Sequence, residues 1–280
     1  SLTLITWNID FMTPEPRARM ASALDHLEHL LSTVPPSSAV VIFLQEMMDP
    51  GMPASLTTAN DLTQIASTPW VRAGFNLTDI DTKTWAAQYG QLTLVDRRLA
   101  IHAVSRLHLV SEFQRVALFV DVCVNPSSQG PKRLLRLCNV HLDSLTGDLR
   151  PIQWKGLARH LQDAGAGIAA SVLAGDCNAN RGRDWTEPRE NGFRDAYLEL
   201  GGVEGDERGA TWGFQSIGWE RWGRKRLDKQ VFWGDVGVVS LARIGVGVEV
   251  GDVLARRTLE KEGELAFVTD HYGLIGVYDI

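Results

Sequence analysis

Five consecutive apolar residues, Val40-Val41-Ile42-Phe43-Leu44, stop at Gln45-Glu46. A run of that length without polar alternation suits a strand buried on both faces, so other layers must cover each side of its sheet. A second run, Ala169 to Ala174 with Val172 and Leu173 at its centre, stops at Gly175, and Asp176 and Asn178 follow. Both runs deliver polar side chains to a loop at a strand end, where a rigid scaffold presents groups to a ligand. Asp can hold a water and accept its proton, and Asn can hydrogen-bond without charge.

The rest of the chain alternates strand and helix. Leu2 to Trp7 reads as a strand placing Asn8 and Asp10 on a loop. Pro14 opens a helix in which Met20, Leu24, Leu27 and Leu31 share a face until Pro35-Pro36. Leu62 and Ile65 suggest a short helix, and strand-like segments lie around Tyr89 and from Leu92 to Val95. Phe113 to Val124 and Leu134 to Leu142 read as neighbouring strands joined by a turn from Asn125 to Pro131, the second delivering His141. Asp148 to Gln162 is expected to be a helix with Ile152, Leu157 and Leu161 on one face, and Phe193 to Leu200 a further helix. Val231 to Trp233 and Gly273 to Tyr278 read as strands, the last introduced by Asp270-His271. No repeat, linker or composition break divides the chain, so one domain over residues 1–280 is expected.

Composition narrows the function classes. A net charge of -6 argues against a protein that holds nucleic acid by a broad basic field, so any such contact must be local. Cys123, Cys138 and Cys177 form no metal spacing, and an odd number gives no disulfide framework, which suits a reducing compartment. No apolar run approaches a membrane span, so no membrane association is expected.

Singly, the polar residues at strand ends have plain readings: turn residues, a satisfied core histidine, a surface ion pair of Asp228 with Arg226 or Lys229. Asp176, Asn178, Asn180, Asp184 and Glu187 also match positions of a calcium loop, but Arg181 stands where that loop needs glycine, and a strand rather than a helix precedes it. Jointly, Asn8, Glu46, His141, Asp176, Asn178, Asp228, Asp270 and His271 all lie at or beside apolar runs. Acidic groups converging in one crevice repel unless a cation or proton is shared among them. Without Cys/His ligand spacing, a hard divalent ion is favoured over zinc.

TWNID at 6–10, FLQEM at 43–47, NVHLDS at 139–144, AGDCN at 174–178, TW at 211–212, RLD at 226–228 and TDHYGL at 269–274 together resemble the endonuclease/exonuclease/phosphatase superfamily over essentially the whole chain. Within it they look most like the 5′-tyrosyl-DNA phosphodiesterase branch. The resemblance implies an α/β (α+β) fold, a four-layer sandwich of two packed mixed β-sheets flanked by helices. It also implies Mg²⁺-dependent hydrolysis of a phosphoester, with Mn²⁺ as a substitute ion. By motif, Glu46 would be the main metal ligand, with Asn8 and Asp270 holding metal or metal-bound water. Asp176 would orient and deprotonate the attacking water, and Asn178 would position water or phosphate. His271 would bond a phosphate oxygen with Asp228 fixing its tautomer, and His141 would stabilise the phosphate or the departing oxygen. The implied substrate is a DNA 5′ end carrying a tyrosyl or peptide adduct, and the implied protein an intracellular, nuclear monomer of DNA end repair. A phenolate, with a parent pKa of about 10, leaves more readily than a sugar alkoxide, so His141 would matter less for a tyrosyl substrate.

Two departures bear on the site. Asp143 stands where the branch has Glu, and Ala179 to Asp184 intervenes where the branch places Leu-Arg-Asp. Arg181 and Arg183 are therefore both candidates to touch the DNA backbone. Trp212 would wall the phosphate site, stack on a base, or be a core tryptophan. Arg221, Arg224, Lys225 and Arg226 form either a strip for DNA phosphates or a solvated turn. Two rival functions stay in view: a nuclease or phosphatase acting on RNA, DNA or a small phosphoester, and a catalytically silent binding module of the same fold.

Overall fold

The computed structural model describes residues 1–49, 59–124 and 133–280. In chain order these form β1 (Leu2–Asn8), α1 (Pro16–Thr33), β2 (Ala39–Met47), α2 (Asp61–Ser67), α3 (Pro69–Gly74), β3 (Phe75–Leu77), β4 (Gly90–Asp96), β5 (Ile101–His108), β6 (Val116–Cys123), β7 (Leu134–His141), α4 (Arg150–Leu161), β8 (Ile168–Asp176), α5 (Glu187–Glu190), β9 (Arg194–Asp195), α6 (Ala196–Glu199), α7 (Trp219–Trp222), β10 (Asp228–Gly234), β11 (Gly237–Ile244), α8 (Val253–Lys261) and β12 (Gly273–Asp279). The strands make two six-stranded sheets, ordered β11-β12-β1-β2-β4-β3 and β5-β6-β7-β8-β10-β9. β1 and β2 pair parallel, as do β7 and β8, within otherwise antiparallel ladders.

Successive side chains on a strand face opposite ways, and this decides the layers. Leu2 and Leu4 of β1 pack between the sheets with Val41 and Phe43 of β2, Leu135 and Leu137 of β7, Val172 and Ala174 of β8, and Phe232 of β10. The other face of the first sheet, with Ile5, Trp7, Ile42 and Leu44, is covered by Met20, Leu24 and Leu27 of α1 and by Leu62 and Ile65 of α2. Trp154, Leu157 and Leu161 of α4 cover Cys138, Val140 and Leu173 on the outside of the second sheet. The result is the expected four-layer sandwich of two mixed sheets flanked by helices.

The same alternation positions the site. Counting in twos along the inter-sheet faces of β1, β7, β8 and β10 leads to Asn8, His141, Asp176 and Asp228, all at one end of the layer between the sheets. By parity Glu46 would follow Ile42 and Leu44 to the helix side. Its φ of 62° and the broken register between Leu44 and Met47 re-aim the strand end, as bulges beside functional sites do. Between the sheets, Gln45 Nε2 donates to Asn139 Oδ1 at 2.8 Å, and Gln230 Nε2 donates to the Leu4 carbonyl at 3.1 Å. These amides stitch one sheet to the other.

Two expectations change. Ile152 is 51% exposed, while Arg150, Gln153, Trp154, Leu157 and Leu161 are the buried residues of α4. Five residues separate Ile152 from Leu157, which turns it about 140° away round a 3.6-residue helix. In Phe193 to Leu200 only Ala196–Glu199 is helical, because Asp195 pairs with Val231 and its side chain caps the Tyr197 N–H at 3.0 Å. The turn from Asn125 to Pro131 lies outside the described residues. Cys138 and Cys177 are buried free thiols, and Cys123 is partly exposed. Among the described residues no helix is long and apolar enough to cross a membrane.

Candidate active site

Asp176, at the end of β8, is 2% exposed and lies directly opposite Asp228 in the ladder with β10. β8 comes this close to β7 because residue 175 is glycine: its φ is 145°, and a Cβ there would sit 1.9 Å from the Val140 carbonyl oxygen. Asp176 Oδ1 accepts the Asn178 backbone N–H at 2.8 Å, and Oδ2 accepts Asn8 Nδ2 at 3.1 Å. The same amide donates to Glu46 Oε1 at 3.0 Å, and Glu46 Oε2 accepts the Phe11 N–H at 2.9 Å. Asn8 is thereby a bridge between two carboxylates. Its Oδ1 accepts the Asp10 N–H at 2.9 Å and keeps a second lone pair, while the amide nitrogen, a donor only, faces the carboxylates. Asn178 spends its amide N–H on the Leu142 carbonyl at 3.0 Å, which leaves its oxygen to offer.

His271 Nδ1 lies 2.8 Å from Asp228 Oδ2, and its Nε2 lies 3.9 Å from both Asp176 Oδ2 and Asp270 Oδ1. Burial disfavours its charged form, but Asp228 above all, then Asp270 and Asp176, raise it well above the ordinary histidine value. It is an imidazolium at neutral pH. The plain reading of Asp228 as a partner of Arg226 or Lys229 fails, since both cations go to Asp195 and Glu204.

His141 is the reverse case. Burial, then Arg115 and His271, hold it well below its ordinary value, so it is neutral. Arg115 Nη1 lies 3.1 Å from His141 Nδ1. A guanidinium only donates, so Nδ1 accepts and the ring proton sits on Nε2. That Nε2 is 3.4 Å from Asp176 Oδ2 and 3.7 Å from Glu46 Oε1.

The carboxylates carry the strain of this gathering. Burial, then Asp10, pushes Glu46 up to about 7. Burial raises Asp270 to about 6 despite His271, with Asp10 and Asp176 adding to it. Asp176 is raised by burial and by Asp228 against the pull of His271. Buried carboxylates held above their ordinary range are what a divalent cation relieves, and their hard oxygens suit Mg²⁺ or Mn²⁺. Glu46, His141 and Asp176 each bring one ligand-type atom within 4.8 Å of the others. Because His141 Nε2 carries a proton, Glu46 is the group that would hold the ion, with Asp176 facing it and His141 a donor beside it. Asp270 stands outside that trio, its Oδ2 accepting Trp212 Nε1 at 2.6 Å.

Trp212 is half-buried and bridges to His271, so it is a wall of the site and not a core residue. Arg181 and Arg183 lie on the loop that begins at Asn178, with side chains 46% and 41% exposed and both paired with Asp148. Arg150 fixes that loop from beneath, donating to Asp184 at 2.9 and 2.7 Å and to Asn180 at 2.9 Å. Arg226 does not reach the site surface. It is 7% exposed and forks onto Asp195 at 3.0 and 2.9 Å with Glu204 beside it, so its expected contact with substrate is corrected to a buried ion pair.

Sequence reading missed Arg115 and Tyr89. Arg115 Nη1 donates to the Tyr89 hydroxyl at 2.6 Å, and its guanidinium carbon lies 5.3 Å from the ring centroids of both Tyr89 and Phe113. With Trp85 they line a cleft beside His141. No spacing connects these residues; only the pairing of β6 with β7 brings Arg115 to His141.

Comparison with known proteins agrees with this geometry. A family model described as the Endonuclease/Exonuclease/phosphatase family matches residues 5–271. No curated protein sequence matches the chain. Among solved structures, a truncated TDP2 from Caenorhabditis elegans superposes with a TM-score of 0.72 at 18% identity, over 99% of this chain and 97% of that one. TDP2 from D. rerio in complex with single strand DNA product gives 0.65 at 18% identity, over 100% and 99%. The catalytic domain of human Nocturnin with a bound sulfate gives 0.61 at 17% identity, over 99% and 94%. At these identities the likenesses carry the fold.

Proposed function

The chain belongs to the endonuclease/exonuclease/phosphatase family and is accordingly a phosphoester hydrolase; from that premise we propose that it is a divalent-metal-dependent phosphodiesterase acting on DNA 5′ ends that carry a phosphotyrosyl adduct. The observation that carries the reading is the pair of histidines flanking Asp176, with Nε2 at 3.4 Å and 3.9 Å from its Oδ2 and each Nδ1 fixed by a charged partner. Phosphoryl transfer asks mainly for positioning and for stabilisation of charge on non-bridging oxygens. His271 supplies a charged N–H, its ring oriented by Asp228, and His141 a neutral one, its tautomer held by Arg115. Asp176, with a carboxylate made more basic by burial, accepts the proton of the attacking water, and the Asn178 oxygen helps orient that water. A divalent ion, when bound at Glu46, would neutralise charge on the phosphate. The proposed aromatic leaving group suits the cleft of Trp85, Tyr89, Phe113 and Arg115 beside His141, since planar rings pack on rings and guanidinium faces. In the structural relatives, the D. rerio TDP2 complex with single strand DNA product supports nucleic acid as the ligand class.

The test is incubation with a 5′-phosphotyrosyl oligonucleotide and a plain 5′-blocked duplex, in Mg²⁺ and then in EDTA. Release of tyrosine in Mg²⁺ alone is expected. Turnover of a lipid or inositol phosphate with neither oligonucleotide cleaved would instead establish the rival reading of a small-phosphoester hydrolase, which the net charge of -6 favours.

A further inference from the structure

We propose that Arg19 is a positioning residue for the hydrolysis: its buried guanidinium clamps two segments of backbone, so that Phe11 offers its N–H to Glu46 and the Asp270-His271 strip stays seated against β1. The proposal rests on a divalent ion at Glu46 and not on which phosphoester is cleaved. Arg19 lies on α1 and is 1% exposed. A guanidinium carries five N–H donors in one fixed plane, and here each of them finds a backbone carbonyl. Nε donates to Pro14 at 2.9 Å, Nη1 to Ile9 at 2.7 Å and Val268 at 2.8 Å, and Nη2 to Asp10 at 2.6 Å and Thr13 at 2.7 Å. None of these acceptors is a carboxylate. Burial works against the charge, and Asp10, Asp61, Asp270 and Glu46 favour it from around the clamp.

The first clamped segment, residues 9–14, leads from β1 to α1 and has Asp10 at a φ of 57°, with Glu15 at 58° just beyond it. Left-handed backbone at residues other than glycine persists only where the surroundings fix it. Arg19 fixes it from within, and the Asp10 carboxylate helps by accepting the Met12 N–H at 2.9 Å and the Thr13 hydroxyl. So held, Phe11 donates its N–H to Glu46 Oε2 at 2.9 Å and lays its ring on Tyr89, with centroids 4.2 Å apart and planes 15° from parallel. The second segment starts at Val268. Next to it, Thr269 Oγ1 donates to the Asn8 carbonyl at 2.9 Å and accepts the His271 N–H at 3.2 Å. One nitrogen, Nη1, thus joins the end of β1 to the strip that carries Asp270 and His271. Lysine could not replace it, because its three donors leave from a single point and the five carbonyls surround three nitrogens. Groups that orient a metal ligand in this way commonly matter to the ion almost as much as the ligand does.

The experiment compares the full chain with Arg19→Ala and Arg19→Lys by calorimetric titration of Mn²⁺, by amide hydrogen exchange in EDTA, and by hydrolysis of bis(p-nitrophenyl) phosphate. Mn²⁺ affinity is expected to fall on the order of 10- to 100-fold in both variants, and kcat about 10-fold or more with KM little changed. Exchange should quicken at Phe11 and His271 and not across the two sheets. Methylguanidinium should restore part of the Mn²⁺ affinity to Arg19→Ala, whose cavity it fits, and none to Arg19→Lys. Exchange quickened evenly over both sheets would make Arg19 a stability residue and overturn the proposal. So would a lysine variant of wild-type affinity, which reduces the clamp to its charge. Should neither variant fold, exchange in the wild-type chain decides: a protected Phe11 amide is expected, and exchange there at the rate of an open loop overturns the clamp. Quickened exchange at Phe11 in Arg19→Ala, with no Mn²⁺ bound even by the wild type, leaves the clamp standing and removes the ion. Unchanged Mn²⁺ affinity in a folded Arg19→Ala does the opposite.

Discussion

His141 and His271 reach the same oxygen of Asp176, at 3.4 Å and 3.9 Å, in different charge states. Burial lowers both rings, and the neighbour on each Nδ1 separates them. Asp228 turns His271 into a cation, and Arg115 keeps His141 neutral with its proton on Nε2. Both rings therefore present an N–H to whatever Asp176 acts upon, and they differ only in charge.

Replacing Asp228 by asparagine keeps the shape of this contact and removes its charge. His271 then loses the main influence raising it and titrates nearer its ordinary value of about 6.5. Since the charged form is the useful one, the alkaline limb of the kcat/KM profile moves to lower pH, and the rate at pH 8 falls on the order of 100-fold. A limb that stays in place would show that the His271 proton plays no part.

Arg115→Leu frees Nδ1 of His141 and removes a cation that holds its basicity down. Nitrogen-15 spectra should change from a single Nε2–H tautomer to a mixture, and the ring should protonate at higher pH. Turnover is expected to fall about 10-fold or more, as for a misplaced acid–base group. An unaltered tautomer in the variant would assign Arg115 to packing alone.

How much of this was legible in the sequence follows from what each residue depends on. The buried runs at Val40 and Ala169 are local facts, and alternation by twos carries them and Asp176 into the structure, whereas Glu46 reaches the site only through the irregularity between Leu44 and Met47. Ile152 was misplaced because an apolar residue on a helix says nothing about which face is covered. Arg226 was taken for a surface cation because its partners, Asp195 and Glu204, approach only in the fold. β5 and β11 were not read as strands because both are largely exposed edge strands with little apolar pattern. Arg115 could not be found at all, for its role is a contact across a strand pair and not a motif.

Gly175→Ala tests whether close approach of β7 and β8 is required. The new Cβ would sit 1.9 Å from the Val140 carbonyl oxygen at a φ of 145°, so the strands must separate. A loss of about 2–4 kcal/mol in denaturant unfolding is expected, together with lower activity, because His141 and Asp176 are the residues next to the break. Wild-type stability in the variant would mean the ladder yields more easily than its geometry implies.

Glu46 ties stability and cation binding to pH in opposite directions. Its carboxyl, ordinarily near 4.5, is pushed to about 7 in the fold by burial and Asp10. Between those two values the folded chain holds a proton that the unfolded chain has released. Without a cation, the contribution is therefore fully present below pH 4.5 and is lost as pH rises through about 7. Thermal melting in EDTA should show Tm falling from pH 5 to 7.5, and Glu46→Gln, which cannot ionise, should lessen that slope, leaving the part due to Asp61 and Asp270, raised to about 7 and about 6. A divalent ion requires the charged form, so its affinity should climb with pH over the same range, by up to about 10-fold per unit where one proton is displaced. Calorimetric titration of Mn²⁺ in buffers of different ionisation enthalpy measures the protons released. Close to one is expected at pH 6, more if Asp270, raised to about 6, is also neutralised by the ion, and little above pH 8. Binding without proton release at pH 6 would mean that Glu46 does not hold the cation.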